Sequence, residues 1–147
     1  MEQTRFERLA PRTPNYAELP VLDGFNWVDC LADVEAGRRY LVVFRSVRRE
    51  TADPVRLKAF DDLAYEEAAE RPGLLVYFRG CLNANHECLS FCLWESQEQA
   101  EAATRLPLHR AAADLTDEMY ASFELERWIL TKCGETSNIY IEPAQLA

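Results

Sequence analysis

Hydrophobic and polar positions recur along this chain in two periods, and their order predicts its elements. At residues 39–47, "RYLVVFRSV" is β-branched and aromatic, which predicts a strand. "ADPVRLKAFDDLAYEEAAER" changes the period to that of a helix. Asp53 stands at its N-cap and Pro54 at its first helical position, and "RPG" stops it. Val55, Phe60, Leu63, Ala64 and Ala68 are its expected inner face. "GLLVYFRG" and "ECLSFCLW" predict two more strands, joined by the polar loop "CLNANH". "SQEQAEAATR" starts another helix with Ser96 and Gln99 in capping-box spacing. Pro107 interrupts it, and a further helical segment is expected over residues 107–121. "FELERWILT" reads as the fourth strand. The tail "NIYIEP" is strand-like without an evident partner, and is expected to cross to, or pack along, the edge of a dimer.

The order is β-α-β-β-α-β, a ferredoxin-like α+β arrangement with one antiparallel sheet. Residues 39–132 form this domain, residues 133–147 a C-terminal tail, and residues 1–38 an N-terminal arm with a short helix. Pro11, Pro14 and Pro20 break the arm into an extension that wraps the domain. In "FNWVDCLADVEAG", Asn26 is positioned to cap a helix that Gly37 ends, with Phe25 and Cys30 stapling its start. The first strand is apolar on both sides, with Val42 and Phe44 opposite Leu41, Val43 and Val47. The third offers Leu89, Phe91 and Leu93 on one side and Cys88, Ser90, Cys92 and Trp94 on the other. A sheet apolar on both faces needs both covered, and a second copy of the chain is the expected cover for the face without helices.

Composition narrows the function classes. With 147 residues, 48% of them hydrophobic, the chain is long enough for one domain with a substantial core. A net charge of −9 argues against nucleic acid and against an anionic membrane surface. No apolar run reaches the length of a membrane span. "MEQTRFERLAPRTP" has no apolar signal region, so a cytoplasmic location is expected, where the five cysteines are free thiols.

The segments "LVVFRS", "RPGLLVYF", "CLWESQEQAEAATRLPLHRAA" and "LERWILTK" resemble the dimeric α+β barrel superfamily, specifically its antibiotic-biosynthesis-monooxygenase-like domains. The "FNW" extension resembles a branch of that superfamily with an N-terminal addition. The resemblance spans about residues 39–132 and implies a homodimer with one cleft per subunit. It also implies oxygen-dependent oxidation of a small apolar or aromatic molecule without a cofactor. Haem-degrading members use an Asn on the first strand, a Trp on the third and a His on the last helix. Trp94 matches the second of these. Val43 and Phe44 stand near the first, and His109 comes earlier than those enzymes place theirs, so haem degradation is not implied.

Five residues are candidates for a site. His109 follows Pro107 in the first turn of a helix, where the dipole disfavours an imidazolium, and a neutral His there acts as a base. Trp94 ends the third strand just before that helical region, and Tyr77 and Phe44 supply aromatic walls. Arg45 lies among apolar residues and needs Glu124, Glu126 or an anionic ligand as partner. A metal site is not expected: Cys88 and Cys92 lie roughly 13 Å apart on a strand, and no C-x-x-C occurs. Cys88 and Cys92 are therefore expected as packing residues, with a His86-activated Cys88 as the alternative. A second functional reading stays open: a non-catalytic ligand-binding or structural dimer whose cleft is filled by its own arm, with Phe25 and Trp27 as plugs.

Overall fold

The computed structural model describes residues 6–134 and 138–145. Its centre is one antiparallel sheet of five strands in the order β2-β3-β1-β4-β5. These are β1 (Gly37–Arg48), β2 (Leu74–Phe78), β3 (Glu87–Trp94), β4 (Tyr120–Lys132) and β5 (Ile139–Pro143). The arm carries single helical turns at Phe6–Arg8 and Tyr16–Glu18 and two short helices, α1 (Val21–Gly24) and α2 (Trp27–Leu31). Helix α3 (Pro54–Ala69) crosses between β1 and β2. Between β3 and β4 come α4 (Gln97–Thr104), α5 (Pro107–Ala113) and α6 (Thr116–Met119). The ferredoxin-like α+β fold is present, enlarged by a fifth strand. Among the described residues no helix is long and apolar enough to cross a membrane.

Two helix starts follow their sequence signals. Asp53 accepts hydrogen bonds from the Val55 and Arg56 amides with Pro54 behind it, and the Ser96 hydroxyl accepts from the Gln99 amide. Asn26 does not cap α2. Its Oδ1 accepts from the Ala10 amide and its Nδ2 donates to the Arg8 carbonyl, so it ties two passes of the arm together. The inner face of α3 also differs from expectation. Val55 is 77% and Leu63 45% exposed, whereas Leu57, Ala64 and Ala68 are buried. The stripe that meets the sheet is therefore 57, 61, 64, 68, which places Asp61 on the inside. The segment expected as one helix over 107–121 breaks at Asp114 into α5 and α6, and β4 begins at Tyr120.

Register decides which side chains share a face. Tyr40, Val42, Phe44 and Ser46 of β1 stand opposite Trp94, Cys92, Ser90 and Cys88 of β3, all on the helix side. Leu41, Val43 and Arg45 stand opposite Leu93, Phe91 and Leu89 on the other side. That second face is not left for another copy of the chain. The arm lies on it, burying Phe6, Phe25, Trp27 and Leu31 against Leu41, Val43, Phe91 and Leu130. Phe25 meets Phe91 edge-on at 5.0 Å, and the Trp27 indole donates to the Val21 carbonyl.

Two cations from the sheet hold the arm by its backbone. Arg45 donates to the Ala17 and Leu19 carbonyls at 2.9 and 2.8 Å. Lys132, almost fully buried, donates to the carbonyls of Leu31 (2.5 Å), Ala32 (3.2 Å) and Val34 (2.6 Å). Those carbonyls end α2, so the ammonium serves as its C-cap. The tail likewise stays with its own chain: β5 pairs with β4 from Trp128↔Pro143 to Lys132↔Ile139, and Ile139 and Ile141 pack on the arm-side core.

Candidate functional site

Of the five candidate residues, Phe44, Tyr77 and Trp94 share the helix-side face, and Arg45 lies on the arm side. Trp94 is 4% exposed and packs with Tyr40, Ala68, Leu74, Ala100 and Ala103, so it is core and lines no cleft. Arg45 is held by Glu126 at 2.5 Å as well as by the arm carbonyls, the structural pairing its sequence position allowed. The expected cleft between Trp94 and His109 is not formed.

His109 sits instead on the seam between α3 and α5. Glu67 of α3 reaches across and accepts from the Leu108 and His109 amides at 3.1 Å, capping α5 from outside its own segment. Burial sets the imidazole below its usual value and outweighs the opposing influence of Glu67. The unfolded chain takes up a proton on this residue near pH 6.5, whereas the folded chain resists it. Below that pH the unfolded state binds more protons, so stability falls as pH drops from about 7 to 5.5. His109→Gln is expected to flatten this part of a melting-temperature profile. An unchanged slope in the variant contradicts a buried neutral imidazole. Asp62, whose carboxyl is lowered by Lys58 and then Arg79, acts in a separate, more acidic window below about pH 4.

Tyr77 has a partner that the sequence reading passed over. Its hydroxyl donates to both oxygens of Asp61, at 2.9 and 3.2 Å, while Arg79 pairs with the same carboxylate at 2.8 Å. Tyr65 stacks on the Tyr77 ring at 5.3 Å, and the Arg79 guanidinium lies over it. Burial first, and Asp61 second, push the Tyr77 phenol far above its ordinary range, so it stays a hydrogen-bond donor. The same two causes push the Cys92 thiol up to about 12. An acidic residue in phase with Leu57, Ala64 and Ala68 was the available signal for Asp61.

Beyond α3, the helix-side face opens. Phe44, Tyr120 and Phe123 form a row of rings, with centroids 6.3 Å apart for Phe44–Phe123 and 5.3 Å for Tyr120–Phe123. Phe123 is 36% and Leu125 40% exposed, an unusual cost for a sheet face. Beside the row lie Ser46, Cys88 and Ser90, with Cys88 Sγ 3.8 Å from Ser90 Oγ. Arg48 stands opposite Tyr120, and its Nε is buried without a hydrogen-bond partner.

Cys81, Cys88, Cys92 and Cys133 are free thiols, and among the described residues no group of three or more His, Cys, Asp and Glu side chains could hold a metal ion. Cys92 is packed under α3, and burial raises the Cys88 thiol too, which removes the driving force for a His86-activated nucleophile. Cys81 alone is exposed. Alkylation by iodoacetamide at pH 7.5, read by mass spectrometry, is expected to modify Cys81 first and Cys92 only on unfolding. Equal rates at the two would contradict the packing described here.

Two surface grooves adjoin the sheet. One of about 240 Å³ lies between Arg38, Tyr40, Ser96 and Ile129. The other, about 420 Å³, runs between arm residues Leu19, Pro20 and Val21 and the strand residues Trp128 and Ile141, with the Arg45–Glu126 pair at its floor. Neither includes Phe44, Tyr77, Trp94 or His109.

Known proteins share this architecture at low identity. SnoaB, a cofactor-independent oxygenase from Streptomyces nogalater, superposes with a TM-score of 0.50 at 13% identity, over 63% of this chain and 91% of that one. A dimeric ferredoxin-like protein from Thermobifida fusca gives 0.51 at 18%, over 63% and 92%. A possible oxidoreductase from Bacteroides thetaiotaomicron gives 0.51 at 17%, over 64% and 98%. At these identities the likeness shows the fold alone, a ferredoxin-like α+β arrangement. No curated protein matches the chain in sequence. A family model does, across residues 3–143, and the chain belongs to the PB2B2.08-like family.

Proposed function

We propose that the protein binds a small, largely aromatic molecule on the helix-side face of its sheet and oxidises it with dioxygen, without a resident cofactor. The observation that carries this reading is the row of Phe44, Tyr120 and Phe123, half-buried at its first two rings and exposed at Phe123, beside the polar groups of Cys88, Ser90 and Asp61. The likeness to SnoaB, itself a cofactor-independent oxygenase, supports the chemistry. In such a reaction a phenol and dioxygen give a quinone and water. One oxygen atom enters the ring, the other leaves as water, and the substrate supplies all the electrons. The protein's part is to hold the ring out of water, which Phe44 and its neighbours do, and to accept a proton. Asp61, which shares this face with Tyr77 and Arg79, is the acceptor of this reading, whereas His109 lies at the other end of α3 beside Glu67.

Oxygen uptake with anthrone and 1-naphthol as probes tests it. Uptake above the protein-free rate is expected, and probes that neither bind nor react contradict it. A non-catalytic binder is the second reading, favoured by the engagement of both Asp61 oxygens by Tyr77 and Arg79. Binding without uptake would select that reading.

A homodimer belongs to the same proposal, on a different surface from the face the arm occupies. Because β5 covers only Trp128–Lys132, β4 from Tyr120 to Glu126 has no outer neighbour among the described residues. An edge of this kind pairs readily with another strand. Sedimentation is expected to give twice the chain mass, and a monomer at micromolar concentration would contradict it.

A further inference from the structure

We infer that Arg48 is the receptor for a carboxylate, and that the aromatic ligand of the helix-side face is a planar aromatic acid. This rests on that face being the ligand site. The starting observation is a contrast within one strand. All three guanidinium nitrogens of Arg45 are engaged, by Glu126, Ala17 and Leu19. Three residues on, Arg48 has a buried Nε with no partner. A buried donor on a cation is costly to leave unmatched.

Local geometry explains the placement. The register of β1 against β4 shifts between Val47 and Arg48, so Arg48 faces Tyr120. Its backbone amide is fixed to the His86 carbonyl at 2.9 Å, which anchors the residue at the hairpin end. Tyr120 stands opposite it, and its charge reaches both the Tyr120 phenol and the Cys88 thiol, which it favours in their ionised forms against burial. Asp61 is already taken by Tyr77 and Arg79, and among the described residues no carboxylate completes Arg48.

The missing partner has a definite shape. Nε and its neighbouring Nη present two parallel N–H groups, which two oxygens of one carboxylate accept side-on. The rings of Tyr120, Phe123 and Phe44 extend away from that point with spacings of 5.3 and 6.3 Å. A planar body of two fused rings lies along such a row, each ring meeting an aromatic face or edge. The chain as a whole carries −9, which repels anions, so recognition of an acid has to be local and short-ranged.

Calorimetric titration of the full chain with 2-naphthoate and with its uncharged isostere 2-naphthamide tests the assignment. In the wild type the acid is expected to bind at least about tenfold more tightly than the amide, the least that a charge-assisted pair contributes. In Arg48→Gln that preference is expected to vanish through loss of affinity for the acid, with the melting temperature equal or higher. Equal binding of acid and amide by the wild type overturns the role of Arg48 and leaves the aromatic site standing. Failure of both probes to bind overturns the site as well. A clear fall in the melting temperature of Arg48→Gln, with the acid preference retained, makes Arg48 a structural residue and overturns the inference.

Discussion

A chain shortened to begin at Gly37 is expected to lose cooperative folding and to aggregate. The arm it lacks is half of a core. Phe6, Phe25, Trp27 and Leu31 bury their side chains almost completely against the sheet. At about 2 kcal/mol for each large apolar side chain, these four residues alone contribute on the order of 8 kcal/mol. That is comparable to the whole stability of an ordinary domain, about 5–15 kcal/mol. Removing them also uncovers Leu41, Val43, Leu89, Phe91 and Leu93, an apolar face on a β-sheet, which invites association. Heat-capacity calorimetry and light scattering read the outcome. A soluble truncated chain with a sharp unfolding transition would show that the arm is an accessory.

Lys132→Met is expected to be the most damaging single substitution. Methionine keeps most of the stem but leaves the carbonyls of Leu31, Ala32 and Val34 without their common donor. Unsatisfied buried carbonyls cost about 1–3 kcal/mol each, so a loss of about 3 kcal/mol is expected after partial rescue by water. For a domain of this size that lowers the melting temperature by on the order of 10 °C. Lys132→Arg keeps the charge but forks the donors, and is expected to fall between the two. A Met variant as stable as the wild type would mean that the end of α2 finds other donors.

Much of the fold was legible because it depends on local chemistry. Asp53–Pro54 and Ser96–Gln99 start helices by interactions within four residues, and the β-branched runs become β1 to β4. Features that depend on remote partners were not. Asn26 has the composition of a cap, but the Arg8–Ala10 backbone crosses it first. Val55 and Leu63 are apolar yet point outward, since the register of α3 is set by Leu57, Ala64 and Ala68. The cover of the second sheet face was expected from another copy of the chain and comes from the arm, a choice that no periodicity encodes. In the candidate site, Phe44 and Tyr77 were expected as aromatic walls, and the structure places both on the helix-side face. Asp61 and Glu67 were not among the expected site residues, because their partners Tyr77, Arg79 and the α5 amides are remote in sequence. Arg48 drew no attention because only the fold shows that its Nε lacks a partner.

The central claim is that the arm closes one face of the sheet and leaves the helix side for an aromatic acid. Chemical-shift mapping of the isotope-labelled protein during a titration with 2-naphthoate tests it most directly. The predicted result is a saturable set of perturbations at Phe44, Arg48, Cys88, Tyr120 and Phe123, with the arm silent. Perturbations centred instead on Leu19, Trp128 and Ile141 would move the site to the arm-side groove and contradict it.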